Sequence, residues 1–97
     1  MDITEAAGRL SALGSEVRIS LYRLLIRAGN DGLNMGDIKR RLEIPASTLS
    51  HHVGALVQAG LIIRETRGRE TICIANYEAM HETVGYLTDK CCVGLEA

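Results

Sequence analysis

Two groups of residues in this 97-residue chain have side chains suited to binding chemistry. The first is a pair of adjacent cysteines, Cys91 and Cys92, whose thiolates are soft ligands that select thiophilic ions. The second, here called the polar group, consists of Ser47, Ser50 and His51. Hydroxyls donate or accept hydrogen bonds and an imidazole donates them, so these side chains suit the base edges and phosphates of DNA. One group therefore suits a soft metal or metalloid, and the other suits a nucleic acid.

A helix that is predicted to begin after Pro45 would present the polar group on one face, with Thr48 at its flank. The opposite face is apolar: Leu49, Val53, Leu56 and Val57. Residues 46–59 contain no Lys or Glu, although a merely solvated face usually carries them, so contact with a ligand surface is favoured. His52 lies towards the apolar side, and we expect it to be packed and hydrogen-bonded.

The segments around this helix predict a helix-turn-helix followed by a wing. Asn34 can cap a preceding helix over residues 35–42, and the only proline lies in the turn between the two helices. After Gly60, strands are predicted at 61–63 and 71–75, joined by a basic hairpin with glycine where positive φ is needed. The arginines of this hairpin are Arg64, Arg67 and Arg69. We expect them to reach a phosphate or the minor groove beside the recognition helix.

Apolar residues at helical spacing predict further helices at both ends of the chain. Residues 2–12 carry one apolar stripe, and residues 16–28 form a largely buried helix. From residue 77 to about residue 92 a narrow apolar seam recurs at intervals of three or four: Tyr77, Met80, Val84, Leu87 and Cys91. We predict one domain over 1–97, with the helix-turn-helix at about 35–59, the wing at about 61–75 and a dimerisation and sensing helix at about 77–92.

Composition limits the size of the domain and the class of partner. The chain is 46% hydrophobic and 24% charged, which suffices for one compact domain. Its net charge of −1 is uneven, because residues 36–70 carry six basic and four acidic groups while residues 71–97 carry one and four. No apolar run approaches the roughly 18 residues of a membrane span, and the N-terminus is no secretion signal. We expect a cytoplasmic protein with no membrane partner, whose three cysteines bind metals or sense oxidants.

Three segments and the arginine hairpin resemble the winged helix-turn-helix of the ArsR/SmtB family, bacterial metal- and metalloid-responsive repressors. The segments are Gly-Asp-Ile-Lys-Arg-Arg-Leu at 36–42, Pro-Ala-Ser-Thr-Leu-Ser-His-His-Val at 45–53 and Leu-Val-Gln-Ala-Gly-Leu-Ile at 56–62. The resemblance implies a mainly α fold with a small β-hairpin: four helices, two strands and a fifth helix. It implies a homodimer formed through the first and last helices, bound to operator DNA of twofold symmetry until an effector releases it. It also implies that the polar group contacts DNA.

The effector differs between members of this family. The Cys-x-Cys pair of its commonest metalloid motif is absent here, since residues 34–36 are Asn, Met and Gly. Residues 89–94 are instead similar to the Cys-Cys-x-Gly ending of some arsenical-responsive members. This resemblance implies a trivalent arsenic or antimony species, bound by Cys91 and Cys92, as the effector. Arsenite and antimonite prefer three sulfurs, with Cys73 or a cysteine of the other subunit as candidate third ligand, whereas methylarsenite needs only two.

Several alternatives stay open. Zinc would have to use Glu78, Asp89 and Cys92, which is a poor tetrahedral set. A redox or reactive-sulfur sensor would join Cys73 to the tail or link two subunits, because a disulfide between neighbouring residues forces a strained ring. The two tail thiols can also be incidental, and a winged helix can be a protein-interaction module that does not bind DNA. A thiol enzyme is the weakest rival, because nothing fixes a base beside a cysteine; we predict no enzyme activity.

Overall fold

The computed structural model describes residues 1–96, which form five α-helices and a small antiparallel sheet. The helices are α1 Ile3–Leu13, α2 Glu16–Ala28, α3 Met35–Leu42, α4 Ala46–Gln58 and α5 Tyr77–Thr88. The strands are β1 Leu33–Asn34, β2 Ile62–Arg67 and β3 Glu70–Ala75. A single 3₁₀ turn, Gly29–Asp31, leads from α2 to β1. The predicted winged helix-turn-helix is confirmed: α3 and α4 are its two helices, and β2 and β3 form the wing.

Side-chain caps explain where four of the five helices begin. The predicted cap of α3 is confirmed, because the Asn34 side chain accepts from the Asp37 amide at 2.8 Å, and the Ser15 hydroxyl accepts from the first turn of α2. Asp2 and Asn76 cap α1 and α5 in the same way. Only α4, among the helices of residues 1–96, begins without a side-chain cap.

The sheet has one strand more than the sequence predicted. Its order is β1-β3-β2, and β2 pairs with β3 around a two-residue turn, Gly68–Arg69, where Gly68 has a φ of 64°. The extra strand, β1, pairs Leu33 with Cys73, in a segment where the sequence predicted no strand. Two residues show no periodicity, so such a strand leaves no pattern in the sequence. Gly32 permits the close approach, because a Cβ there would lie 2.5 Å from the Cys73 carbonyl oxygen.

The core lies between α2, the apolar faces of α3 and α4, and the inner face of the sheet. The largest fully buried side chains are Leu21, Leu25, Ile38, Leu49, Val53, Leu56, Leu61, Cys73 and Thr83. The apolar side of α4 is thereby fixed to the body, and its polar side is left outward. None of the helices within residues 1–96 is long and apolar enough to span a membrane.

The helices at the two ends of the domain pack together and leave apolar side chains in solvent. Arg9 of α1 joins them, since its guanidinium donates to Glu82 at 3.0 Å and to the Thr83 hydroxyl at 3.1 Å on α5. Exposed apolar residues along these two helices are Ile3, Leu10, Tyr77, Val84 and Leu87, the last three 62, 52 and 57% exposed. Such a stripe on paired terminal helices is the surface that the predicted homodimer requires.

α5 ends four residues before the predicted end of the sensing helix. Asp89 is extended, with φ −54° and ψ 134°, and Lys90 and Cys92 have φ of 58° and 69°. Gly85, Thr88 and Asp89 favour helix weakly, so the apolar seam alone does not extend the last turn. Cys91 and Cys92 therefore lie in turns beyond α5, and Cys91 does not continue the seam on the helix.

Candidate nucleic-acid interface and cysteine tail

The outer face of α4 exposes the polar group as predicted. Ser47, Ser50 and His51 are exposed, and Thr48 at the flank is half-buried. Among the hydrogen bonds of residues 1–96, none involves the side chains of these four residues. Their donors and acceptors are therefore available to a ligand on this face.

The N-terminus of α4 also presents unpaired donors. Pro45 precedes the helix and offers no side-chain cap, while its carbonyl accepts from the Leu49 amide at 3.0 Å. The amides of residues 46–48 precede the first intrahelical bond, so they point along the helix axis without a partner in the helix. Together with the helix dipole they favour a phosphate at this end.

A Schellman motif closes the C-terminus of α4. Leu61 N–H donates to the Leu56 carbonyl at 2.9 Å, and Gly60 N–H donates to the Val57 carbonyl at 3.0 Å. Gly60 has the left-handed φ of 79° that this motif requires at its glycine. Gly60 thus ends the helix before the predicted strand, and hydrogen bonds tie Gly60 and Leu61 to the last turn of α4.

His52 ties α4 to the body, in the packed role predicted for it. Its Nδ1 accepts from Arg18 Nε of α2 at 3.1 Å, and the same guanidinium donates to the Ala12 carbonyl of α1 at 3.3 Å. Burial, Arg18 and His51 together hold the pKa of His52 below its ordinary value of 6.5, so the imidazole is neutral. Arg18 was not singled out in the sequence, because its contact with α4 spans 34 residues.

The three wing arginines are all exposed but differ in their contacts. Arg67 folds back, since its guanidinium donates to Glu65 at 2.9 Å and to the carbonyls of Asn30 and Asp31 at 3.4 and 3.0 Å. Within residues 1–96, Arg64 and Arg69 make no hydrogen bond through their side chains. Arg67 therefore anchors the wing to the 3₁₀ turn after α2, whereas Arg64 and Arg69 are free to reach outward, Arg69 from the turn of the hairpin.

The tail cysteines and Cys73 lie in opposite environments. Cys91 and Cys92 are exposed free cysteines, whereas Cys73 on β3 is 0% exposed and its thiol donates to the Met35 Sδ at 3.6 Å. Burial raises the pKa of Cys73, with a smaller opposing effect from Arg64. Within the part of one chain that the structure describes, no three His, Cys, Asp or Glu residues gather into a possible metal site. The fold therefore does not bring Cys73 to the tail pair.

The zinc alternative has its candidate ligands at opposite ends of α5. Glu78 lies in its first turn, and Asp89 follows its last residue. Asp89 lies eleven positions after Glu78, which is roughly 16 Å along a helix. Glu78 is therefore remote from Asp89 and Cys92 within one protomer.

Comparison with known proteins gives the family of the central segment. Residues 13–65, more than half of the chain, match the family model described as a helix-turn-helix domain. No curated protein matches the sequence as a relative.

Solved structures share the whole architecture. An ArsR-like transcriptional regulator from Rhodococcus sp. RHA1 is 25% identical, with 87% of this chain and 76% of that chain covered and a TM-score of 0.77. HlyU from Vibrio cholerae is 26% identical over 90% of this chain and 97% of that one, with a TM-score of 0.69. The homodimeric winged helix-turn-helix DNA-binding domain of a possible ArsR-family regulator from Mycobacterium bovis is 16% identical over 89% and 84%, with a TM-score of 0.74. The fold and its element order are thus those of ArsR-type regulators.

Proposed function

The chain belongs to the helix-turn-helix domain family and is a DNA-binding transcriptional regulator of the ArsR type, not an enzyme; on that premise we propose that it is an arsenical-released repressor. As a homodimer it binds an operator of twofold symmetry through two copies of α4. A trivalent arsenical captured by the cysteine tail then lowers its affinity for DNA.

The observation that carries the DNA-binding part is the outer face of α4. Within residues 1–96 its hydroxyls and imidazole have no hydrogen-bond partners and its N-terminal amides are uncapped, while its inner face is fixed to the core. A recognition helix needs this combination, because ordered donors and acceptors must meet base edges in the major groove. The segment 36–70 that carries α4 and the wing has two more basic than acidic groups, which suits a phosphate backbone.

The apolar stripe on α1 and α5 supports the proposed dimer. Twofold pairing would bury Val84 and Leu87 and would hold two copies of α4 about 34–36 Å apart, one helical turn of DNA. Replacing Leu87 by Asp places a carboxylate in that contact, so we expect monomers by sedimentation and weak operator binding. A Leu87→Asp protein that remains a dimer would place the contact elsewhere.

The tail supports a small thiophilic effector. Cys91 and Cys92 are accessible on every protomer, while Cys73 is enclosed, so the tail supplies two sulfurs per protomer. A methylated trivalent arsenical requires two. Each thiol gives its proton to one arsenic hydroxyl, which leaves as water, and one As–S bond replaces one As–O bond; arsenic stays trivalent throughout. An inorganic arsenical would take a third sulfur from the other subunit.

The test of DNA recognition uses a duplex that the purified protein selects from a random-sequence pool. We expect Ser50→Ala and His51→Ala to weaken binding of that duplex without lowering the melting temperature. An affinity equal to that of the wild type would remove these side chains from the interface. Failure of the wild type to select any duplex would favour a protein-interaction module.

The test of sensing adds methylarsenite, arsenite or a polysulfide to the bound complex. Wild type should lose affinity about 5- to 150-fold with the arsenical, equivalent to ~1–3 kcal/mol of coupling. The double variant Cys91→Ser/Cys92→Ser should bind equally well and stay bound. Cys73→Ala is the matched control, and it should respond like the wild type. Release of the double variant by the arsenical would refute the assignment, and release of wild type by polysulfide alone would favour the redox alternative.

A further inference from the structure

Asn76, the residue before α5, lies where the end of α4, the end of β3 and the start of α5 meet. Its Nδ2 donates to the Gly60 carbonyl at 2.9 Å, and its Oδ1 accepts from the Ala79 amide at 3.2 Å. Its backbone N–H donates to the Leu61 carbonyl at 2.8 Å. A single residue thus caps α5 and holds the end of the recognition helix.

The acceptors that Asn76 uses move with α4. Gly60 and Leu61 are tied into the last turn of α4 by the Schellman hydrogen bonds, and Leu61 is fully buried. A bond to the Gly60 carbonyl therefore constrains the whole recognition helix and not a loose loop. The amide of Asn76 reaches this carbonyl over 16 positions of sequence.

α2 also contacts the backbone of Asn76. The Tyr22 hydroxyl donates to the Asn76 carbonyl at 3.2 Å, and the Tyr22 ring is buried in the core. Burial raises the pKa of Tyr22, so the hydroxyl keeps the proton it donates. The Tyr22 bond therefore meets the backbone of Asn76, whereas the bonds to Gly60 and Ala79 use its side chain.

Of the two helices that meet at Asn76, α4 serves the proposed DNA binding and α5 serves the proposed dimerisation and sensing. α5 carries the exposed apolar stripe and leads directly into the cysteine tail, whereas α4 carries the polar group. Within residues 1–96, the Asn76 amide to Gly60 carbonyl bond is the one side-chain hydrogen bond between the start of α5 and the end of α4. A shift of α5 reaches α4 most directly through this bond.

We propose that Asn76 is a positioning residue for DNA recognition, which sets the angle of α4 against α5 and transmits a rearrangement of α5 to the DNA-reading face. This inference rests on the proposed function and adds the residue through which its two sites communicate. Loss of the amide donor leaves both helices folded and the backbone bond to Leu61 in place, but it removes the side-chain restraint on the angle between the helices.

The decisive variant is Asn76→Ser. A serine hydroxyl still caps α5, because serine is among the favoured N-cap residues, but it is too short to reach the Gly60 carbonyl. Asn76→Asp is the second variant, which keeps the length and the cap and removes the donor. Tyr22→Phe is the matched control, because it removes a hydrogen bond from the same junction without touching the amide of Asn76.

The first readout is affinity for the duplex selected by the wild type, with and without methylarsenite. We expect Asn76→Ser and Asn76→Asp to bind about 3- to 10-fold more weakly, the worth of one hydrogen bond, and to lose most of the arsenical response. The melting temperature of Tyr22→Phe should fall by a few degrees, as it does in the two Asn76 variants. Its affinity for the duplex should stay within about twofold of that of the wild type. A purely structural role for Asn76 would instead make affinity follow melting temperature in all three variants.

The second readout needs no DNA. Residual dipolar couplings of the free dimer report the orientation of α4 relative to α5, and we expect a changed orientation in Asn76→Ser and an unchanged one in Tyr22→Phe. Wild-type orientation in Asn76→Ser would overturn the inference, as would wild-type affinity together with a wild-type arsenical response. A wild-type protein that selects no duplex would defeat the proposed function, and the orientation would still decide the role of Asn76.

Discussion

The recognition helix and the cysteine tail are held by the molecule in opposite ways. α4 has a buried inner face, a Schellman motif at its end and side-chain bonds from Arg18 and Asn76. Residues 89–96 have only local backbone hydrogen bonds, such as Cys91 N–H to the Thr88 carbonyl at 2.9 Å. Base-edge recognition needs groups ordered in advance, whereas a sensor must change its arrangement when it binds its effector. The fold therefore holds the DNA-binding face of α4 in place and leaves the cysteine tail free to rearrange.

The two regions should differ most in the loss of folding stability when a leucine is replaced by alanine. Leu49 is 1% exposed on the inner face of α4, so Leu49→Ala should reduce the free energy of unfolding by about 2–5 kcal/mol. Leu95 is fully exposed in the tail, so Leu95→Ala should change it by less than about 0.5 kcal/mol. Urea denaturation followed by circular dichroism measures both. Equal losses would mean that the tail packs on the body.

Two glycines with left-handed backbone provide a second comparison. Gly60 ends α4 with φ of 79° and Gly94 lies in the tail with φ of 88°. Apart from the adjacent residues, no atom of the described chain lies within 4 Å of a Cβ built at either position. The cost of alanine is therefore conformational, about 1–2 kcal/mol. Because Gly60 belongs to the cooperative unit, Gly60→Ala should lower the melting temperature and operator affinity. Gly94→Ala should lower neither, since the tail can change conformation locally; a lower melting temperature in that variant would contradict this.

The sequence predicted α4 and the elements around it because their signals are local. Asn34, Pro45 and Gly60 mark helix ends through the dihedral angles and hydrogen bonds of their own neighbourhood. The alternation of polar and apolar residues then predicted which side of α4 is outward, including the packed position of His52. The polar group could therefore be found without a structure.

The parts that the sequence did not predict depend on contacts between distant segments. The anchoring of Arg67 requires the loop at Asn30, 37 residues away, and the link from Asn76 to Gly60 joins the two ends of the wing. Strand β1 exists only because β3 lies beside it. The apolar seam predicts an α5 that is four residues longer than the structure shows, because weak helix formers end the helix at Thr88.

The wing tests whether free and anchored arginines differ in function. Arg69→Ala removes a free guanidinium in the turn, so we expect affinity to fall about 3- to 10-fold and the salt dependence to lose roughly one counterion. Arg67→Ala removes the anchor to Glu65, Asn30 and Asp31, so we expect a lower melting temperature and little change in salt dependence. Fluorescence anisotropy between low and high salt separates the two effects. The reverse assignment of salt slopes would mean that Arg67 leaves its anchor on DNA.

The smallest expected effect is a pH dependence of folding stability caused by the protonation of His52 on α4. The pKa of His52 is lowered in the folded protein, chiefly by burial and then by Arg18 and His51, whereas it is about 6.5 in the unfolded chain. The unfolded chain therefore binds the proton first as pH falls, so the stability that His52 contributes is present above pH 6.5 and is lost below it. His52→Asn keeps an acceptor near Nδ1 for Arg18 but cannot take up a proton, so its free energy of unfolding should fall less steeply between pH 7 and pH 5. Parallel curves for the two proteins in urea denaturation would mean that the bond from Arg18 to His52 does not depend on a neutral imidazole.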